Sequence, residues 1–392
     1  MVNSLLIKEA RAVLPDRVLE SASVRVAQGT IVEVSATSLT AQPGEAVIEA
    51  GGRFLIPGLI DLHCDNIEKE LQPRPGVMVP MELALAELDR KLALAGITTM
   101  YHSISFGAGE GVRSNEVAAQ LARAIAHFAT ECTLVNHRVH IRFELSNYEA
   151  LDLTAELLEE GTANLLSFMD HTPGQGQYRN PERFREYVRK TYHLGEDAVE
   201  SIVQMKLDGR ARVTDAQVRE LAALALRRGI PLAAHDLDTR NAVTEAVARR
   251  ITLVEFPMSL DVAQFATDHG LHNCVGAPNV VLGRSQDGNL SAREVIAAGA
   301  ADVLCSDYHP GSVLRAIFML ADLGLVSLCD AVALATRNPA TAVGLGDTTG
   351  VIQVGAAGDL LLVSEDDGRV AVDSTIVAGE VVLTATPRVL VH

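Results

Sequence analysis

The chain has 392 residues, 48% of them apolar, enough for one large domain or two modest ones. Its 50 acidic and 33 basic residues leave a net charge of −17, which excludes general nucleic-acid binding, since phosphate contacts need a basic face. No apolar run reaches the roughly 18 residues of a membrane span, so none is expected.

The N-terminus, Met1-Val2-Asn3-Ser4-Leu5-Leu6-Ile7-Lys8, lacks the charged region and long apolar stretch of a signal peptide. Five cysteines, at 64, 132, 274, 305 and 329, are dispersed without a C-x-x-C pair. Together these predict reduced thiols in a cytoplasm. Residues 1–53 read as short strands and turns: Ser23-Val24-Arg25-Val26 alternates, Gln28-Gly29-Thr30 turns, and Ile31-Val32-Glu33-Val34 alternates again. Residues 346–392 read the same way. Two β-rich ends flanking a long middle predict one small β domain (1–53 plus 346–392) built from both termini.

The middle, 54–345, alternates strands and helices, which argues for a parallel sheet. Candidate strands are 54–62, 96–101, 139–144, 164–170, 231–235, 251–257, 275–281 and 302–307. Eight is the number that closes a barrel. Helical periodicity fills the gaps, clearest over 81–95, with 116–129, 215–228 and 239–250 beside it.

Metal-competent residues stand at the strand ends. The first ends His63-Cys64-Asp65, an i, i+2 pair that shares one face of a strand. The third contains His140-Ile141-Arg142-Phe143-Glu144, the fourth ends at His171, the fifth at His235 and the eighth at Asp307. In a closed barrel these converge on the C-terminal rim, where barrel enzymes place their chemistry. Imidazole with carboxylate suits two ions of zinc, manganese or iron. In that arrangement Glu144 bridges the cations, His171 and His235 bind the second, and Asp307 touches one metal while taking a proton from water. Each has a plainer alternative: Glu144 pairs with Arg142, or Asp307 caps the next helix. His102, His137, His140 and His309 are read as structural or supporting.

Two loops suit anions. After His171, residues 172–179 continue into Arg179, Arg183, Arg185, Arg189 and Lys190, five cations within twelve residues. Arginine grips phosphoryl oxygens bidentately; the alternative is a solvated helix with Glu182 and Glu186 as partners. The second loop, 283–290, leads into Ser291-Ala292-Arg293-Glu294, a capping-box pattern that opens a helix. The loop after the first strand adds Asn66, Glu68, Lys69 and Arg74.

These residues resemble the amidohydrolase superfamily. Gly51-Gly52-Arg53-Phe54-Leu55-Ile56-Pro57-Gly58 and Arg337-Asn338-Pro339-Ala340 are similar to its segments at those places. A narrower resemblance is to its PhnM branch. It is carried by His63-Cys64-Asp65-Asn66-Ile67-Glu68, Pro73-Arg74-Pro75-Gly76 and Met169-Asp170-His171-Thr172-Pro173-Gly174-Gln175. Gly276-Ala277-Pro278-Asn279, Gly288-Asn289-Leu290-Ser291-Ala292-Arg293-Glu294 and Ser306-Asp307-Tyr308 extend it. Asp65 replaces the more usual second His of the superfamily, and Glu144 counts to the third strand where the bridging residue usually comes from the fourth.

The resemblance implies an α/β fold, a TIM-like metal-dependent (β/α)₈ hydrolase barrel with a small β-sandwich from both termini. It also implies cleavage of the phosphoanhydride of α-D-ribose 1-methylphosphonate 5-triphosphate to the 5-phosphate plus diphosphate. On that reading Asp307 is the general base, and His63, Asp65, Glu144, His171, His235 and Asp307 hold the metals. Asn66, Glu68, Arg74, Gln175, Arg179, Asn279 and Asn289 bind the phosphorylated sugar phosphonate. A homodimer is the default assembly. Two alternatives stand: a cyclic-amide or N-acetyl-sugar amidohydrolase with the same metals, and a non-catalytic barrel acting as a partner in a phosphonate-processing assembly.

Overall fold

The computed structural model describes residues 4–107, 109, 111–192, 195–284 and 290–385. Five N-terminal strands come first: β1 (Ser4–Val13), β2 (Val18–Ala27), β3 (Thr30–Ser35), β4 (Ala46–Glu49) and β5 (Phe54–Pro57). Eight barrel strands follow: β6 (Leu59–Cys64), β7 (Ile97–Phe106), β8 (Asn136–Glu144), β9 (Leu165–Met169), β10 (Leu232–His235), β11 (Leu253–Glu255), β12 (His272–Gly276) and β13 (Val303–Cys305). β14 (Leu360–Asp366), β15 (Arg369–Val377) and β16 (Glu380–Thr384) end the chain.

The terminal strands form one mixed sheet in the order β16-β15-β14-β5-β1-β2-β3, with β4 on β1. Three hairpins turn on two residues that both have positive φ: Gln28-Gly29, Asp367-Gly368 and Ala378-Gly379. That geometry matches the right-handed twist of the flanking strands. The sheet folds back until its ends meet, Gly358 N donating to Gly29 O and Gly379 N to Gly358 O. The small sandwich is therefore made from a single sheet, closed over Ile7, Val24, Val26, Ile31, Leu360 and Ile376.

The barrel strands pair in chain order, each parallel to the next. Between β13 and β6 the seam closes at its top, where Asp307 N donates to His63 O and Asp65 N to Asp307 O, both at 2.9 Å. Lower down, Leu334 and Ala335 fill the gap, accepting from Leu304 N and Ile60 N. The buried Asp61 carboxylate accepts from Ser306 N and His63 N across the same seam. Ile60, Leu62, Leu165, Ala233, Leu253, Cys274 and Val303 fill the barrel floor, and alternate residues such as Val139, Ile141 and Phe143 face the surrounding helices.

The expected helices form at Met81–Ala95, Asn115–Phe128, Asp215–Arg227 and Arg240–Ala248. Two expected strands are corrected. The run 54–62 is two strands, β5 in the small sheet and β6 in the barrel, because Gly58 switches sheets: its N–H donates to Asp359 O, and a Cβ there would lie 2.2 Å from Thr98 Oγ1. The run 275–281 is the end of β12 followed by the helix Ala277–Leu282, with Pro278 in its first turn and Gly283 as a left-handed C-cap. An unbroken apolar run conceals both changes.

Between β9 and β10 the helices Pro181–Tyr192 and Glu196–Arg212 form a hairpin with its own apolar contact of Phe184, Val188, Val199 and Val203. It docks beside the barrel mouth. Arg210 Nε donates to Asp170 Oδ2 at 2.8 Å, and Arg212 lies over the Tyr148 ring. Gly209 sits against Ser146 so closely that a Cβ would meet its carbonyl oxygen at 2.1 Å.

Candidate active site

Strand alternation positions the site. Two residues beyond the floor residues Leu165, Ala233 and Leu253 come Ser167, His235 and Glu255, all on the inner face. On β8 the inner residues are His140, Arg142 and Glu144. The strand ends are strained: Asp236, Phe256 and Asp307 have φ of 55°, 55° and 59°, the left-handed region that non-glycine residues rarely occupy.

Two donor groups result. In the first, His63, His140 and Glu255 place one ligand atom each within 4.8 Å of the others. His63 Nδ1 lies 2.6 Å from Glu255 Oε1, and Ser167 Oγ donates to Glu255 Oε2 at 2.5 Å. His140 Nδ1 lies 3.0 Å from the Leu62 carbonyl, which can only accept, so Nδ1 carries the proton and Nε2 presents a lone pair. In the second group, His171, His235 and Asp236 meet the same 4.8 Å criterion. His171 Nε2 and His235 Nδ1 lie 3.4 and 3.1 Å from Asp236 Oδ2. Glu144 accepts from His171 N at 3.0 Å and from His171 Nδ1 at 2.8 Å, which turns Nε2 toward the group. The His63 and His235 rings are 5.5 Å apart, and Phe256 packs edge-on against His63.

His140 Nε2, His171 Nε2, His235 Nδ1, Asp236 Oδ2 and Asp65 Oδ1 are buried without a hydrogen-bond partner. Unpaired buried polar atoms are costly, and their convergence in sets of imidazole and carboxylate fits divalent cations. Burial holds the His140 pKa down to about 3, leaving a neutral ring. Burial opposes ionisation of Glu144, but the His171 charge and hydrogen bonds win and bring its pKa to about 2. Burial likewise disfavours the charged form of His171, yet Glu144 and Asp236 lift its pKa to about 9. Asp307 is pushed upward, chiefly by burial.

A cavity of about 1220 Å³ is lined by His63, Asp65, Glu144, His171, His235 and Asp307, all six residues expected to hold metal. Neither plainer alternative forms: Glu144 bonds His171 rather than Arg142, and Gly311, not Asp307, precedes the next helix as its N-cap. Strand-end reasoning passes over Glu255, Asp236 and the inward role of His140. Glu255 had a signal, being the acidic residue two positions beyond Leu253 on an inner face.

The expected substrate-binding set fares differently. Asn279 lines the cavity, but its side chain accepts from Ala292 N at 3.1 Å and so fastens the helix start. That bond replaces the expected capping box, since Ser291 makes no side-chain cap. Asn66, Glu68, Arg74, Gln175 and Arg179 do not line the cavity. Asn66 Nδ2 donates to Glu70, and Glu68 is buried on Arg113 Nε at 2.7 Å. Arg74 and Gln175 are exposed on loops, and Arg179 points to Asp238 at 3.8 Å. Short helices and turns carry these side chains outward, a direction that motif order does not reveal. Asn289 lies outside the described residues.

The sequence profile of the Amidohydrolase family matches residues 54–382. The chain is 36% identical over 375 residues to the α-D-ribose 1-methylphosphonate 5-triphosphate diphosphatase of Escherichia coli (strain K12), covering 94% of this chain and 97% of that protein. It is 24% identical over 399 residues to the imidazolonepropionase of Bacillus cereus (strain B4264), covering 92% and 86%. A putative prolidase from Bifidobacterium longum shares the fold, with a TM-score of 0.67, 15% identity and coverage of 100% and 97%. With an eight-stranded parallel barrel, clustered imidazoles and carboxylates at its mouth and a profile match over most of its length, the chain belongs to the amidohydrolase family of metal-dependent hydrolases.

Proposed function

We propose that the protein hydrolyses α-D-ribose 1-methylphosphonate 5-triphosphate to the 5-phosphate and diphosphate. The observation that carries this is the 36% identity, along nearly the whole of both chains, to a diphosphatase of that name. The cavity supports it: His63 of the first donor group, His171, His235 and Asp236 of the second, and Asp307 all line it.

His63, His140 and Glu255 would hold one cation and His171, His235 and Asp236 a second, with Glu144 fixing the His171 ring and Asp65 within reach of the same cavity. Bound divalent metal would make water a nucleophile near neutral pH and polarise phosphoryl oxygens. Asp307 takes the proton from the attacking water. The water oxygen bonds to the phosphorus next to the ribose, the bond to the bridging oxygen breaks, and diphosphate leaves with the electron pair. Zinc, manganese and iron all suit these donors. Among the described residues no helix is long and apolar enough to cross a membrane, and the five cysteines are free; free thiols support a cytoplasmic location.

The test is to incubate metal-loaded protein with the 5-triphosphate and follow phosphorus NMR. Diphosphate and a 5-phosphate are expected in equal amounts. No turnover of the triphosphate, with cleavage of a lactam or N-acetyl sugar instead, would replace this reading. A purified protein without bound metal would favour the non-catalytic alternative.

A further inference from the structure

Arg142 is a buried cation that makes no ion pair among the described residues. It faces the barrel interior between His140 and Glu144 and is 8% exposed. Its Nη2 lies 3.4 Å from His235 Nε2, a long contact, and its Nε is buried with no hydrogen-bond partner. Among the described residues it makes no ion pair with any carboxylate, although several lie near. Glu255 pairs with His63 and Glu144 with His171, Asp236 stands beside the histidines of its group, and Asp307 feels the Arg142 charge without an ion pair to it.

A guanidinium out of water without a partner is expensive. Cations in the two donor groups would raise that cost, because like charges would then stand beside it. The carbonyl of a neutral lactam or amide would accept one hydrogen bond but bring no compensating charge. A phosphoryl group would relieve that cost, since its oxygens accept the planar fork of donors and answer the metals' charge together. Other cations line the same cavity. Lys206 Nζ donates to the Gly107 carbonyl at 2.9 Å, and among the described residues neither it nor Arg183 makes an ion pair; both line the cavity from the helical hairpin. Arg113, by contrast, is paired with Asp65 and Glu68.

We propose that Arg142 binds the phosphoryl oxygens of the substrate beside the metal-donor groups, and that it selects phosphoanhydrides over neutral amides. The choice of a triphosphate as that substrate rests on the diphosphatase reading; the need for an anion at Arg142 rests on its burial and missing partner.

The experiment compares wild type with Arg142→Gln, both loaded with manganese. Inorganic diphosphate is titrated in by calorimetry, with metal content measured before and after, and kcat and KM for the 5-triphosphate are determined. We expect unchanged thermal stability and metal content, diphosphate affinity weaker by about tenfold or more, and a larger loss in kcat/KM, the scale of a lost charge-assisted hydrogen bond. Affinity and kcat/KM both within about twofold of wild type overturn the proposal while leaving the diphosphatase reading intact. If wild type turns over no triphosphate, the functional reading falls, yet the tenfold affinity difference still supports Arg142 as an anion site. Should Arg142→Gln not fold, Arg142→Lys carries the test: a charge without the fork should bind diphosphate several-fold more weakly, and wild-type affinity in that variant overturns the assignment.

Discussion

Asp307 does two things at once. Its backbone joins the first and eighth barrel strands, and its side chain lines the cavity from a residue with φ of 59°. Asparagine tolerates that region of backbone space as well as aspartate does. Asp307→Asn should therefore keep the fold and the bound metal while turnover falls by about 100-fold or more, the usual worth of a positioned general base. Elemental analysis and steady-state assay of the same preparation check this, and near-wild-type turnover removes Asp307 from the mechanism. At this scale the sequence is informative where a ligand type ends an apolar run: His63, Glu144, His171, His235 and Asp307 share one cavity. It is less so for Glu255, which lies inside the run 251–257, and for Asn66 and Arg179, whose directions depend on the helix or turn that carries them.

Among the elements, the helical hairpin has most influence on the cavity. It brings Arg183 and Lys206 to the wall, and it is anchored where Gly209 touches Ser146, in the loop that follows Glu144. Gly209→Ala would force that contact apart, because the obstacle is backbone and cannot rotate away. A loss of about 1–3 kcal/mol in stability is expected from such overpacking, with a rise in KM for the 5-triphosphate as the hairpin cations shift. Denaturant titration and kinetics together measure both; unchanged KM would mean that the hairpin does not touch substrate. The solvated helix weighed as the alternative for this stretch does form, over Pro181–Tyr192, and its Arg185, Arg189 and Lys190 are largely neutralised by Glu182, Glu186, Glu196 and Glu200. Which cations remain for the cavity depends on docking between two helices, and single-helix spacing carries no record of that.

For the molecule as a whole, barrel closure depends on a carboxylate whose pKa burial raises from 3.8 to about 6, that of Asp61. A raised carboxyl pKa means that the folded state binds the proton more tightly than the unfolded chain does. The stability this contributes is present below about pH 4 and is lost as pH rises through about 6. Asp61→Asn keeps a carbonyl to accept from Ser306 N and cannot ionise. The melting temperature of wild type relative to this variant should thus fall by a few degrees, roughly, between pH 4 and 7 and then level off; parallel pH profiles would refute it.

The passage from β5 through Gly58 into β6 has a wider implication. Only one residue separates a strand of the terminal sheet from the strand that carries His63, and that residue has no room for a side chain. The two ends of the chain thus brace His63 from behind. Trimming them to isolate a smaller catalyst would loosen the first donor group rather than simplify the enzyme.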